Sequence, residues 1–121
     1  MKFLVLAIAL ISCSFAQAPS PSKKAFLIRT QPVRATFVQD ATKEEEKIMS
    51  EHFVYLKKLA ADGKVVLAGP SINGEKTFGL IVVEVDDEAE ARKIMEGDPS
   101  LKAGIQKGEV LPFRISILRG R

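Results

Sequence analysis

Phe78-Gly79-Leu80-Ile81-Val82-Val83-Glu84-Val85 carries apolar side chains at both parities of an extended strand. Phe78, Leu80 and Val82 point one way, and Ile81, Val83 and Val85 point the other. A sheet with helices on one face and water on the other alternates apolar and polar residues. This strand does not alternate, so both of its faces need cover.

The flanking segments supply the rest of a fold. Ala25–Thr30 reads as a strand stopped by Gln31-Pro32. Thr42-Lys43-Glu44-Glu45 is a capping box that opens a helix running to Ala61, where Asp62-Gly63 ends it. Val65–Ala68 is a second strand, closed by Gly69-Pro70, with Asn73-Gly74 in the turn that follows. Asp86-Asp87 starts a second helix that stops at Gly97, and Val110–Leu118 is the last strand, with Pro112 marking an edge or a bulge near its start. The order β-α-β-β-α-β predicts an α+β, ferredoxin-like domain: a four-stranded antiparallel sheet with two helices on one face. The helices cover one face only. A second copy of the sheet, set face to face, covers the other, as in a dimeric α+β barrel, so a homodimer through the sheet face is expected.

Residues 1–16 stand apart from this domain. Met1-Lys2 is a short basic start, Phe3 to Ile11 an apolar run too short to span a bilayer, and Ser14-Phe15-Ala16 offers small residues at the positions a signal peptidase reads. Cleavage after Ala16 leaves 105 of the 121 residues. Residues 17–24, rich in proline and serine, read as a disordered leader, and the domain occupies 25–118. The expected location is secreted or periplasmic. Leu10-Ile11-Ser12-Cys13 also fits a lipobox, in which lipidated Cys13 would become the first residue and a membrane anchor. Composition agrees with one ordinary globular domain, at 46% apolar and 27% charged residues. Loss of Lys2 with the signal lowers the net charge of +3 by one. So small an excess gives no reason to expect nucleic acid or an anionic membrane as partner. Lys76 to Val83 partly matches an RNA-binding strand but has Leu80 and Val83 where stacking aromatics belong.

Chemistry is confined to few residues. The sole cysteine, Cys13, falls in the signal, and His52 is the sole histidine, which leaves no histidine-cluster or thiolate metal site. No phosphate loop, nucleophile elbow or dinucleotide fingerprint occurs, so neither metal nor cofactor is expected. The carboxylate runs Glu44-Glu45-Glu46 and Asp86-Asp87-Glu88 sit in first turns of helices, where they complement the helix dipole. His52 lies in the middle of the apolar stripe formed by Ile48, Met49, Phe53, Tyr55, Leu56, Leu59 and Ala60. It is either a core histidine with a satisfied hydrogen bond or a general acid/base whose tautomer a carboxylate holds. Asp98, before Pro99, is either the N-cap of a short helix ending near Gly104 or that carboxylate.

Taken in order, Glu51-His52-Phe53-Val54-Tyr55-Leu56 with Leu59, Gly63, Ala68-Gly69-Pro70, Gly79, Glu90-Ala91, Asp98-Pro99, Ala103-Gly104 and Pro112-Phe113 resemble the YCII-related family of the dimeric α+β barrel superfamily. The resemblance covers roughly Ala25 to Leu118. It implies a ferredoxin-like protomer, sheets paired into a dimer, and a cleft with a catalytic His–Asp pair, which by that pattern is His52 and Asp98. Relatives include enzymes of lactone and chlorinated-aromatic breakdown. Two residues depart from the pattern: Ser100 stands where an aromatic is usual, and Leu80 where a small hydroxyl residue is common. The expected function is an exported, cofactor-free isomerase, lyase or hydrolase acting on a small organic acid or lactone. His52 would move the proton, Asp98 would orient it, and Tyr55 or Ser71 would bind the substrate. The alternative is a non-catalytic dimeric module that binds a small ligand or a protein in the same cleft.

Overall fold

The computed structural model describes residues 22–120. The signal peptide expected over residues 1–16, Cys13, and the leader up to residue 21 lie outside the described residues. Strand β1 spans Lys24–Pro32, longer at both ends than the sequence predicts. Lys24 pairs with Val85, and Pro32 with Gln106, so partners on both sides extend the ladder past its apolar centre. The expected leader therefore ends before Lys24, and Lys23 is already held by Asp86 at 2.6 Å. One helical turn, α1 (Phe37–Asp40), follows between the predicted first strand and the Thr42 capping box, where the sequence predicts no element; it tucks Phe37 into the interior. Helix α2 runs Lys43–Ala61 with the predicted capping box formed at both bonds. It ends at Asp62, and Gly63 takes φ +78°, a left-handed conformation that glycine adopts without strain.

Strand β2 covers Val65–Ser71, three residues beyond the expected end. Pro70 is tolerated because β2 is an edge strand, where its missing N–H leaves no ladder bond unmade. Strand β3 is Phe78–Val85, as the sequence predicts. Helix α3 (Glu88–Glu96) is capped by Asp87, whose side chain accepts from Glu90 N, and short helix α4 (Pro99–Lys102) is capped by Asp98. Strand β4 is Gln106–Phe113, displaced from the predicted Val110–Leu118. It starts early because Gly104, at φ +71°, turns the chain and Ile105 O accepts from Val33 N. It stops at Phe113 because β1 offers no pairing beyond Ala25, however apolar the sequence that follows.

The sheet order is β2-β3-β1-β4, all antiparallel, with both long helices on one face: the ferredoxin-like arrangement. Phe26 and Ile28 from β1, Ile81, Val83 and Val85 from β3, Leu56 from α2 and Ile94 from α3 build the core between helices and sheet. On the opposite face the register sets Leu67, Val82, Leu27 and Leu111 in one row across four strands. Val82 is buried by its neighbours, while Leu67 and Leu111 at the ends of the row are exposed, as is Phe113.

Candidate functional site

Helix α2 turns His52 and Leu56 fully inward, with Ile48, Met49, Tyr55 and Leu59 half-buried around them. Phe53, counted in the apolar stripe by periodicity, is instead 53% exposed, because the space below it is open. His52 is 8% exposed and Asp98 2%. His52 Nδ1 lies 2.7 Å from Asp98 Oδ2, across 46 residues of chain. Asp98 at once caps α4: its other oxygen, Oδ1, accepts from Ser100 N at 2.9 Å and from Ser100 Oγ at 2.7 Å. Asp98 thus caps α4 and meets His52 at once, because a carboxylate has an oxygen for each.

The protonation pattern follows from these partners. Burial pushes the Asp98 carboxyl up, but hydrogen bonds from His52 and from the Ser100 side chain and backbone outweigh it, and the net shift is downward. Asp98 is therefore an ionised acceptor at neutral pH, which assigns the imidazole proton of neutral His52 to Nδ1. Nε2 then carries a lone pair. It has no hydrogen bond among the described residues, yet it is not sealed from solvent, since no buried side-chain nitrogen or oxygen lacks a partner.

His52 lines a cavity of about 530 Å³ between α2, β2 and the first half of β3. Met49, Phe53, Leu56, Val65, Ile81 and Pro70 make much of its apolar wall. Among the described residues its polar side chains are His52, Thr30, Gln106 and Thr77, with Lys57 as the one charged residue in the wall. A hollow of about 640 Å³ lies where the tail after β4 passes Lys24 and Glu84; it contains neither His52 nor Asp98. Among the described residues no three His, Cys, Asp or Glu side chains gather as a metal ion requires.

The other two sequence-predicted binders sit elsewhere. Tyr55 Oη donates to Ile94 O at 2.7 Å under Gly97, where a Cβ would come within 2.7 Å of it. Burial, and then the charge of Asp98, push its phenol pKa up, so the hydroxyl stays protonated in that bond. Ser71 is exposed at the end of β2, opposite Phe78, while its neighbours Pro70 and Ile72 face the cavity. Neither hydroxyl lines the cavity that holds His52. Two polar residues around the pair went unread, Thr30 and Gln106, and Ser100 was noted only as a departure from the family pattern; all three are buried. Thr30 did leave a signal, a hydroxyl on the core parity of Phe26 and Ile28. Gln106 left none, because the predicted last strand starts only at Val110.

The family model of the YCII-related domain matches residues 25–114. Among solved structures, the chain is similar to 5-chloro-2-hydroxyhydroquinone dehydrochlorinase from Burkholderia phenoliruptrix AC1100, solved with 2,5-dihydroxybenzoquinone. The identity is 24% and the TM-score 0.59, over 74% of this chain and 93% of that one. It is also similar to a protein of unknown function from Nitrosomonas europaea, at 15% identity and TM-score 0.45, over 84% of this chain and 100% of that one. No curated protein matches. The likeness to the dehydrochlorinase is one of fold.

Proposed function

The chain belongs to the YCII-related family, and on that premise we propose that it is a small acid/base enzyme that works without a cofactor, an isomerase, lyase or hydrolase on a small organic molecule. The acid or lactone implied by the sequence resemblance is the first class to test. One observation carries the reading: His52 holds its Nδ1 proton on buried Asp98 and presents Nε2 to an apolar cavity. A base so placed takes a proton from a substrate C–H or O–H bond, whose electron pair stays on the substrate. The imidazolium that forms lies beside an ionised carboxylate, which stabilises it. Return of the proton at a second position completes an isomerisation; loss of a leaving group completes an elimination. With a lactone, Nε2 would instead take the proton of the attacking water. General acid/base groups of this kind contribute about 10²–10⁴ in rate. The fold's use for small molecules is supported by the dehydrochlorinase, which was solved with a dihydroxyquinone.

The reading includes a homodimer through the apolar outer face, supported by the row Leu67, Val82, Leu27 and Leu111. It also includes export, with cleavage after Ala16, which rests on the sequence alone. The experiment is a screen of the purified protein against small acids, lactones and phenolics for turnover, repeated with His52→Asn. Turnover abolished by the substitution supports the enzyme. Ligands that stabilise the protein but are never converted would establish the non-catalytic binding module instead.

A further inference from the structure

Two polar groups in the cavity wall lie beside the His52–Asp98 pair without belonging to it, Thr30 and Gln106. Thr30 is 1% exposed, yet its hydroxyl bonds to nothing among the described residues. The hydroxyl points toward β3, where a Cβ on Gly79 would stand 2.3 Å from Oγ1; only a glycine there leaves it room. Gly79 and Thr30 both line the cavity. Its oxygen is not sealed, since no fully buried side-chain oxygen among the described residues lacks a partner, so it opens on the cavity, where valine would fill the same volume with no polar group to satisfy. What serves this hydroxyl must come from the cavity.

Gln106 completes the polar end. Ser100 Oγ is 2.7 Å from Asp98 Oδ1 and 2.9 Å from the Gln106 amide, whose oxygen is placed toward it. A hydroxyl has one proton, and the carboxylate takes it as the stronger acceptor. The amide must then donate, so Gln106 turns its NH₂ to Ser100 and leaves its carbonyl oxygen on the cavity side. Across the β1–β4 pairing Thr30 is diagonal to Gln106, since Thr30 faces Gly108 and Pro32 faces Gln106. His52 Nε2, Gln106 Oε1 and the Thr30 hydroxyl thus form an end with two acceptors and one hydroxyl that can give or take. Behind it lies the negative charge of Asp98, and the only cation in the wall among the described residues is exposed Lys57.

We infer that Thr30 and Gln106 are the specificity-determining groups of this cavity, and that with His52 they seat the hydroxyl of a neutral, largely apolar ligand such as a phenol or enol, and disfavour a carboxylate. The inference rests on the reading of the cavity as the substrate site, and within small organic molecules it favours a hydroxyl compound over the acid that the sequence resemblance implies. An O–H group supplies its proton to one of the two acceptors, and its oxygen takes the one that Thr30 offers. A carboxylate brings only lone pairs to a site already rich in them.

The test is equilibrium binding to the full chain of three probes of one size: 2-naphthol, 2-methoxynaphthalene and 2-naphthoate. The chain has no tryptophan and one tyrosine, so probe fluorescence reads binding directly. The expected order places naphthol about tenfold tighter than the methyl ether, which lacks the donor, with naphthoate weakest. Gln106→Leu is expected to weaken naphthol by about fivefold and to leave the ether unchanged, and Thr30→Val to weaken both by about fivefold, since both keep the oxygen that accepts from Thr30. Thr30→Val should melt no lower than the parent, which separates recognition from folding. Naphthoate binding as tightly as naphthol, naphthol binding indifferent to both substitutions, or no neutral probe binding at its solubility limit would each overturn the inference. Turnover plays no part in these readouts. The expected pattern without any catalysis would sink the enzyme reading and leave the specificity assignment standing. Naphthol binding lost in His52→Asn but unmoved by Thr30→Val and Gln106→Leu would do the opposite.

Discussion

Asp98→Asn tests the pair without knowledge of the substrate. Asparagine keeps an oxygen for the two Ser100 bonds at 2.9 and 2.7 Å, so the cap of α4 survives. In place of Oδ2 it turns an NH₂ toward His52 Nδ1, which must then accept. The imidazole proton moves to Nε2, and the lone pair that faced the cavity is lost. The stability cost is the difference between a charge-assisted and a neutral hydrogen bond at a buried site, about 1–2 kcal/mol. For a domain of this size that lowers Tm by roughly 5–15 °C. Any turnover should fall by about 10³–10⁴, the scale on which an analogous change of tautomer acts in serine proteases. His52 is the sole histidine, so ring ¹⁵N shifts report its tautomer with no assignment problem. The expected spectrum has Nδ1 protonated in the parent and Nε2 protonated in the variant. A parent with its proton on Nε2, or a variant with the parent's pattern, would refute the pairing. The pH dependence is a second readout. Asp98 is held below its ordinary carboxyl value of 3.8. Its stabilisation is therefore fully present above that pH and is lost as pH falls through the lower, folded value. The variant should lack this acid limb of the unfolding profile.

Gly79→Ala would drive a Cβ to 2.3 Å from Thr30 Oγ1, an overpacking expected to cost about 1–3 kcal/mol; adding Thr30→Ala should recover most of it in denaturant titrations, and failure to recover would misplace the hydroxyl. The parent should scatter light as a dimer at micromolar concentration, and Leu111→Glu, on the outer apolar row, should give a folded monomer. A parent that is monomeric under those conditions removes the sheet-face argument. Thr42→Ala breaks the capping box of α2 and should lower stability by about 1 kcal/mol in the same titrations; no change would mean the helix start is held by packing alone. N-terminal analysis of exported protein should begin at residue 17, and a chain that begins at lipid-modified Cys13 would decide for the lipobox.

Much of this molecule is written locally. The capping box at Thr42 and Glu45, the left-handed Gly63, the doubly apolar Phe78–Val85 and the cap at Asp98 each concern a few consecutive residues, and each was legible in the sequence. So was the element order, and with it the ferredoxin-like fold. His52 and Asp98 were legible as individuals, one as a polar residue in an apolar stripe, the other as a cap. Their bond joins residues 46 apart, and sequence alone left its existence open. Where the strands end was also open. β4 is set by the length of β1 beside it, so the apolar stretch Ile115–Leu118 stays outside the ladder. Side-chain direction was the hardest to read. One step along β2 separates exposed Ser71 from Pro70 in the cavity wall, and Tyr55, near His52 on the helix, spends its hydroxyl on Ile94. Thr30 and Gln106 acquire meaning only when β1 and β4 lie side by side and Gly79 on β3 leaves the hydroxyl room. Conformational preference acts over a turn or a strand and can be read from neighbours in the chain. A hydrogen bond, a cavity and the proton it receives depend on neighbours in space, and those the packing of helices on the sheet alone decides.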